Sequence, residues 1–180
     1  FIAIEEVVNL YRLDELLVKH FGDRAGLVLD LASYMVVEGR NQGQYYPDYA
    51  YRHPLFSPGM RIYSDSTVSK FLSSVKDEQI AGFLNDWNTD RDHKSRIYVS
   101  YDSTNKNCQA GDVDFVEFGK AKVDLGLPIF NVGLAMDQNN RIPLFYELYP
   151  GSINDVSQFK FMVDKAVGYG YKNIGFIIER

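Results

Sequence analysis

The feature that most constrains this chain is an order of elements between Arg96 and Ile178: a strand, a two-stranded hairpin, a helix and a final strand. Arg96-Ile97-Tyr98-Val99-Ser100-Tyr101 is apolar and rich in β-branched and aromatic residues, which suit a pleated, packed surface, and it runs into Asp102-Ser103-Thr104. A short apolar run closed by turn formers reads as a buried strand ending at Asp102. Ile129 to Met136 alternates, with Phe130, Val132, Leu134 and Met136 on one face, and Ile142 to Tyr149 alternates again. Asp137-Gln138-Asn139-Asn140 between them is strong turn chemistry, so the pair reads as a β-hairpin. After Pro150-Gly151, Asp155 is placed to cap a helix with Gln158 at the capping-box position, and Gly168 and Gly170 end it. Asn173 to Ile178 is the last strand, followed by Glu179-Arg180.

A right-handed crossover through that helix places the last strand beside the first and parallel to it, with the hairpin on the far side of the first. Acids then close both strands, Asp102 and Glu179. The C-terminal ends of strands are where α/β sheets tend to place ligand-binding groups. Adjacent strands lie about 4.8 Å apart, a spacing at which two carboxylates can share divalent ions about 3.5–4 Å from each other. Oxygen ligands of this kind select Mg²⁺ or Mn²⁺. The plainer reading of Asp102 is that its side chain caps the turn that follows.

The first half is helical in pattern. Leu10, Leu13, Leu16 and Leu17 recur at helical spacing over about Glu5 to Phe21, with Gly22 as a stop. Asp23 is placed to cap a second helix, ending near Gly39, with Leu27, Val28, Leu31, Ala32, Met35 and Val36 on its buried side. Gln44 to Gly59 interleaves five aromatics with Pro47, Pro54 and Pro58, so regular structure is not expected there. Those aromatics either stack on nucleic-acid bases or pin an irregular segment to the core; with Arg52 as the one local cation, pinning is favoured. Val68, Phe71, Leu72 and Val75 form one further stripe, and Ile80, Phe83, Leu84 and Trp87 another, with Asp77 placed as a cap. Neither helix of this pair has a basic face, so it is read as structural rather than as a DNA-reading helix-turn-helix. Residues 1–94 are expected to pack through their leucine and tyrosine stripes, and 95–180 to form the sheet-bearing part.

A formal net charge of −5 argues against a generic nucleic-acid binder. No apolar run approaches the roughly 20 residues that span a bilayer, so no membrane association is expected, and the single Cys108 fits a reducing, cytoplasmic setting. His20, His53 and His93 share no metal-ligand spacing. The sequence opens without a methionine and stops directly after a strand-like run, so it is expected to be part of a longer chain.

Tyr101-Asp102-Ser103-Thr104, Phe118-Gly119-Lys120, Leu127 to Leu134, Ile142-Pro143-Leu144, Tyr149 to Asp155 and Ile177-Ile178-Glu179-Arg180, in that order, resemble bacterial insertion-sequence transposases of the DDE class. The resemblance covers Arg96 to Arg180, and the helical first half is similar to the leader such transposases carry. It implies the first part of a ribonuclease H-like mixed sheet and metal-dependent cleavage and rejoining of DNA. By the same resemblance Asp102 is the first catalytic and metal-binding acid, and Glu179 stands where the second is expected. There the family usually has Asp before Arg. The third acid belongs to a later helix. Lys120, after Gly119, matches a family lysine and, with Lys122, is a DNA contact, the alternative being a solvated surface lysine. Asn154 and Asp155 match a turn read as helix capping. The implied partners are Mg²⁺ or Mn²⁺, the transposon ends and target DNA, and a second copy in a homodimer. The rival readings are a catalytically inactive remnant that docks DNA or a partner, and a metal-dependent nuclease sharing the fold.

Overall fold

The computed structural model describes residues 1–93, 96–108, 113–119, 127–153 and 155–178. The chain divides into two compact units, Phe1–Asp86 and Trp87–Arg180.

The first unit is helical. The stretch expected as one helix from about Glu5 is two, α1 (Ile2–Tyr11) and α2 (Leu13–Phe21), broken at Arg12 with φ 51° and ψ 41°. The break decides which leucines are used: Leu17 packs with Val8, Ala25 and Leu29, whereas Leu10 is left 72% exposed. Asp23 does not cap the next helix. It lies in a 3₁₀ turn, Gly22–Arg24, and α3 (Ala25–Glu38) follows without a side-chain cap, ending at Gly39 in the left-handed region.

The buried side of α3 also differs from its apolar stripe. Met35 and Val36 are exposed, while Asp30, Ser33 and Tyr34 are buried. The reason lies in the chain at Phe56 and Ser57. The Asp30 carboxylate accepts the backbone N–H groups of Phe56 (2.6 Å) and Ser57 (3.1 Å), and Gly26 lets that backbone approach so closely that a Cβ would stand 2.7 Å from the Ser57 Cα. Two peptide N–H groups are satisfied inside the unit by one carboxylate, and the helix turns accordingly.

The aromatic-proline stretch is not wholly irregular. Tyr46–Arg52 forms α4, with Pro47 in its first turn, where a missing N–H costs nothing. Tyr46 and Tyr49 are buried beside Tyr34, with ring centroids 6.2 and 5.6 Å from it, and Tyr51 is exposed. The tyrosines therefore pin a helix rather than a loop. Ser64 caps α5 (Asp65–Ser74) by accepting the Thr67 N–H. Asp77 sits inside the first turn of α6 (Asp77–Thr89), and the Gln79 side chain, not Asp77, takes the Lys76 N–H.

The second unit is a four-stranded mixed sheet in the order β3-β2-β1-β4. Strand β1 (Ile97–Asn107) pairs antiparallel with β2 (Ile129–Asp137), which pairs antiparallel with β3 (Ile142–Pro150). After α7 (Asp155–Gly168), β4 (Ile174–Ile178) lies parallel to β1 on the side away from the hairpin. This is the arrangement that the pattern predicts. Helix α7 packs on the face that carries Val99, Ala135 and Phe176, with the Phe159 and Phe176 rings edge to face at 5.1 Å.

One expectation fails here. β1 does not close at Asp102: the strand runs on to Asn107. Polar residues are held extended because the β2 partner continues, pairing Thr104 with Val132 and Lys106 with Phe130. Tertiary pairing overrides local preference. The Phe130–Met136 face of β2 is half-buried, and the residues between, from Ile129 to Asp137, form the buried set.

Two polar groups organise the sheet. At the β2–β3 turn, Asp137 accepts from Asn139 N (2.9 Å), Asn140 N (3.4 Å) and Asn140 Nδ2 (2.6 Å), a local Asx arrangement that supports Arg141 at φ 58°. At β3 the last turn of α6 is bound by side chains: Trp87 Nε1 donates to the Pro143 carbonyl (2.8 Å) and Asn88 Nδ2 to that of Leu144 (2.9 Å). The Tyr171 hydroxyl donates to Asn88 Oδ1 (2.9 Å), and the His93 ring lies on Tyr171 at 4.6 Å with its Nε2 2.8 Å from the Asn88 carbonyl.

Candidate functional site

Asp102 follows the described part of a parallel ladder. The parallel ladder of β1 with β4 runs from the pair Ile97–Ile174 to Tyr101–Ile178, and Asp102 is the next residue along β1. On the other side β1 remains paired with β2, Asp102 opposite Leu134. The aspartate is exposed, on the sheet face that also presents Tyr98, Thr104 and Lys106. Among the described residues its carboxylate has no hydrogen-bond or ion-pair partner. Capping a turn is ruled out as its role, because no turn follows it.

The carboxylate's chemistry suits a hard divalent cation, and the side chain is exposed to solvent. Its neighbours on β1 and β2, Ser100, Thr104 and Leu134, supply no second acid. Among the described residues there is no group of three His, Cys, Asp or Glu side chains able to hold a metal ion. Glu179, Lys120 and Lys122, the other site residues expected from the sequence, lie outside the described residues, as does Asn154. Asp155 opens α7.

The glycine-containing motifs meet at the far end of β1. Glu117 and Ile129 exchange both backbone hydrogen bonds (2.9 and 2.8 Å), and Ser152 Oγ donates to the Glu117 carboxylate. A Cβ on Gly119 would stand 2.0 Å from the Gly151 carbonyl oxygen, and one on Gly151 would stand 2.4 Å from that of Ile129. Asn131 Nδ2 holds the chain leaving β3 by donating to Pro150 (3.0 Å) and Ile153 (3.1 Å) carbonyls. Since β1 pairs Asn107 with Ile129, this knot lies five residues from Asp102, about 17 Å at the rise of a strand. The structure thus separates the two sets: Asp102 faces solvent in mid-strand, and Phe118-Gly119 with Tyr149-Pro150-Gly151-Ser152 is a packing junction.

The histidines have local partners. His20 Nε2 is 2.6 Å from Asp86 Oδ2, which Lys19 also approaches at 2.6 Å; hydrogen bonds from Lys19 and then His20 hold the Asp86 carboxyl below its usual range. His53 stacks on Tyr49 at 4.2 Å. The buried group that sequence reading missed is Asn88, fully enclosed among Leu144 and Tyr171. Its neighbour Trp87 was the signal available, as the end of an apolar stripe.

No family model, curated protein or solved structure matches the chain. Among the described residues no helix is long and apolar enough to cross a membrane.

Proposed function

We propose that this chain carries the front part of a ribonuclease H-like core of a DDE transposase, with Asp102 as its first metal-binding acid. The observation that carries the reading is the position of Asp102: an exposed carboxylate immediately after the last described pair of the parallel β1–β4 ladder. In the sequence the residue after Ile178 is Glu179, so an acid follows the last ladder pair in both strands. The sheet order, a three-strand antiparallel meander with a helical crossover to a fourth strand parallel to the first, supports this reading of the core. In this reading Asp102 and Glu179 would hold Mg²⁺ or Mn²⁺ with a third acid, and Lys120 and Lys122 would contact DNA. The bound ions would activate a water or hydroxyl and stabilise the departing oxygen of a phosphodiester. The role of the protein is placement: β1 fixes the Asp102 backbone by its pairing with Leu134, and the ladder with β4 sets which residue follows alongside.

The second reading, a remnant that docks DNA or a partner without cutting, is favoured by the described neighbours of Asp102 on β1 and β2, none of which is an acid. It is also favoured by the glutamate at 179, one methylene longer than the residue the family carries. The two readings divide on metal binding. Mn²⁺ titration followed by electron paramagnetic resonance should show weak binding that Asp102→Ala abolishes while the melting temperature stays within error, because the side chain supports no turn and touches no core residue. Binding unchanged by that substitution would remove Asp102 from the site and the transposase reading with it. In a plasmid-nicking assay with Mg²⁺ or Mn²⁺ this chain should leave DNA uncut, since two carboxylates give the ions an incomplete shell and small misplacements cost about a hundredfold in rate.

A further inference from the structure

The helical unit contains a groove of about 360 Å³ lined by Phe21, Arg24, Thr67, Lys70, Phe71, Ser74, Val75 and Gln79. Ligand pockets begin at about 300 Å³, so this one is too large for a bare phosphate and of the right size for a mononucleotide. One wall is a single face of α5, because Thr67, Lys70, Phe71 and Ser74 stand at helical spacing i, i+3, i+4 and i+7. The opposite wall is the end of α2 with the 3₁₀ turn that carries Arg24.

The charges are unbalanced. Among the described residues neither Arg24 nor Lys70 has an ion-pair partner, in a unit whose other ion pairs, such as Arg40 with Glu38, are formed. Arg24 is held over the Tyr63 ring, 5.2 Å from its centroid, and Arg61 lies 5.0 Å from the same centroid, so a third cation stands nearby. A stacked guanidinium keeps its N–H donors free for an oxyanion, which it meets with a planar fork. The polar wall residues are sorted by what they already do. Gln79 is spent on Lys76 N and the His20 carbonyl, and Ser74 donates to the Phe71 carbonyl. The Thr67 hydroxyl is engaged with Ser64 Oγ (2.9 Å), so the donors left for a ligand are Arg24 and Lys70. Phe21 and Phe71 are each half-buried against one of the unit's two cores, and their exposed parts offer flat apolar surface to a ring.

We infer that this groove binds a nucleoside phosphate, the phosphate between Arg24 and Lys70 and the base against Phe21 and Phe71. The inference does not depend on the transposase reading, as none of these residues belongs to the Asp102 site.

The test is calorimetric titration of the full chain with adenosine 5′-monophosphate at low ionic strength, with adenosine and inorganic phosphate as separate arms. Saturable binding of the nucleotide is expected, weakened at least tenfold by Arg24→Gln/Lys70→Gln with the melting temperature unchanged, and retained in Lys70→Arg. Added salt should weaken it, because both cations are exposed. Each half of the ligand should bind at least tenfold more weakly alone. Absence of saturable binding would overturn the inference, and so would full affinity in the double variant or equal affinity for adenosine. Binding of a single-stranded oligonucleotide that the mononucleotide fails to compete would also overturn it, by assigning the cations to a polymer.

Discussion

Asn88 offers a quantitative test of how the second unit is held together. Its side chain is fully buried and occupied at both ends, donating to the Leu144 carbonyl and accepting from the Tyr171 hydroxyl. Tyr171→Phe removes one hydroxyl and leaves Asn88 Oδ1 enclosed without a proton, a loss of about 1–3 kcal/mol. Asn88→Ala strands two groups, the Leu144 carbonyl and the Tyr171 hydroxyl, and leaves a small cavity; about 3 kcal/mol is expected. In the double variant the Asn88–Tyr171 bond is lost once rather than twice, so its cost should fall short of the sum by about 1–2 kcal/mol. Trp87 is the only tryptophan of the chain and donates to the adjacent Pro143 carbonyl, so its fluorescence reports this unit in urea. With a slope of about 1–2 kcal/mol/M, 3 kcal/mol moves the midpoint by about 1.5–3 M. Additivity within about 0.5 kcal/mol would refute the argument, since it would mean that the two side chains do not share a bond.

Three further outcomes follow from the same contacts. Burial above all pushes the Tyr171 hydroxyl up to about 12, so the folded state keeps its proton after the unfolded chain begins to lose it near pH 10; stability should fall as pH rises from 10 to 12, and Tyr171→Phe should flatten that part of a urea-midpoint profile. Asp30 is likewise raised, chiefly by burial and against the hydrogen bonds of Ser57 and Phe56, so its contribution is fully present below pH 3.8 and is lost as pH rises through the raised value; the melting-temperature difference between Asp30→Asn and the parent should change sign or magnitude across that window, whereas a constant difference would show that Asp30 does not titrate. Gly151→Ala should cost about 2–3 kcal/mol in urea unfolding, because the new Cβ meets backbone oxygens of Ile129 and Glu117 at 2.4 and 2.6 Å, while Gly168→Ala, with nothing within 4 Å at the end of α7, should be neutral or stabilising.

Much of the second unit was legible because its signals are periodic. The hairpin declares itself through alternation and through Asp137-Gln138-Asn139-Asn140, and Gly168 closes α7 where a glycine stop was expected. The first unit was less legible, since its register depends on side chains that ignore periodicity. Asp30 is buried by two peptide N–H groups that lie 26 and 27 residues away, and Arg12 takes a left-handed conformation that leucine spacing cannot announce. Pro47 was read as a breaker although a proline in a first turn is a helix starter. The Asn88 network has no sequence signature because an asparagine in a helix usually faces water.

Asp102 shows what separates a residue's local signals from its place in a sheet. Asp-Ser-Thr-Asn-Lys-Asn is poor strand material by propensity, and a turn was the natural expectation. The extended conformation comes instead from β2, whose nine residues from Ile129 to Asp137 pair with β1 from Asn107 back to Val99. The described residues of β4 pair with β1 as far as Tyr101. Thus β1 has described partners on both sides through Tyr101 and on one side from Asp102 onward. A carboxylate at the buried position of Val99 would sit on the α7 face with Ala135 and Phe176, where desolvation would drive it to hold a proton. At 102 the side chain points to the other face and stays in water. Pairing with β2, not a chain reversal, is therefore what holds a solvated acid in the strand. Val99→Asp should unfold the second unit at markedly lower urea, whereas Asp102→Ser should leave its midpoint unchanged.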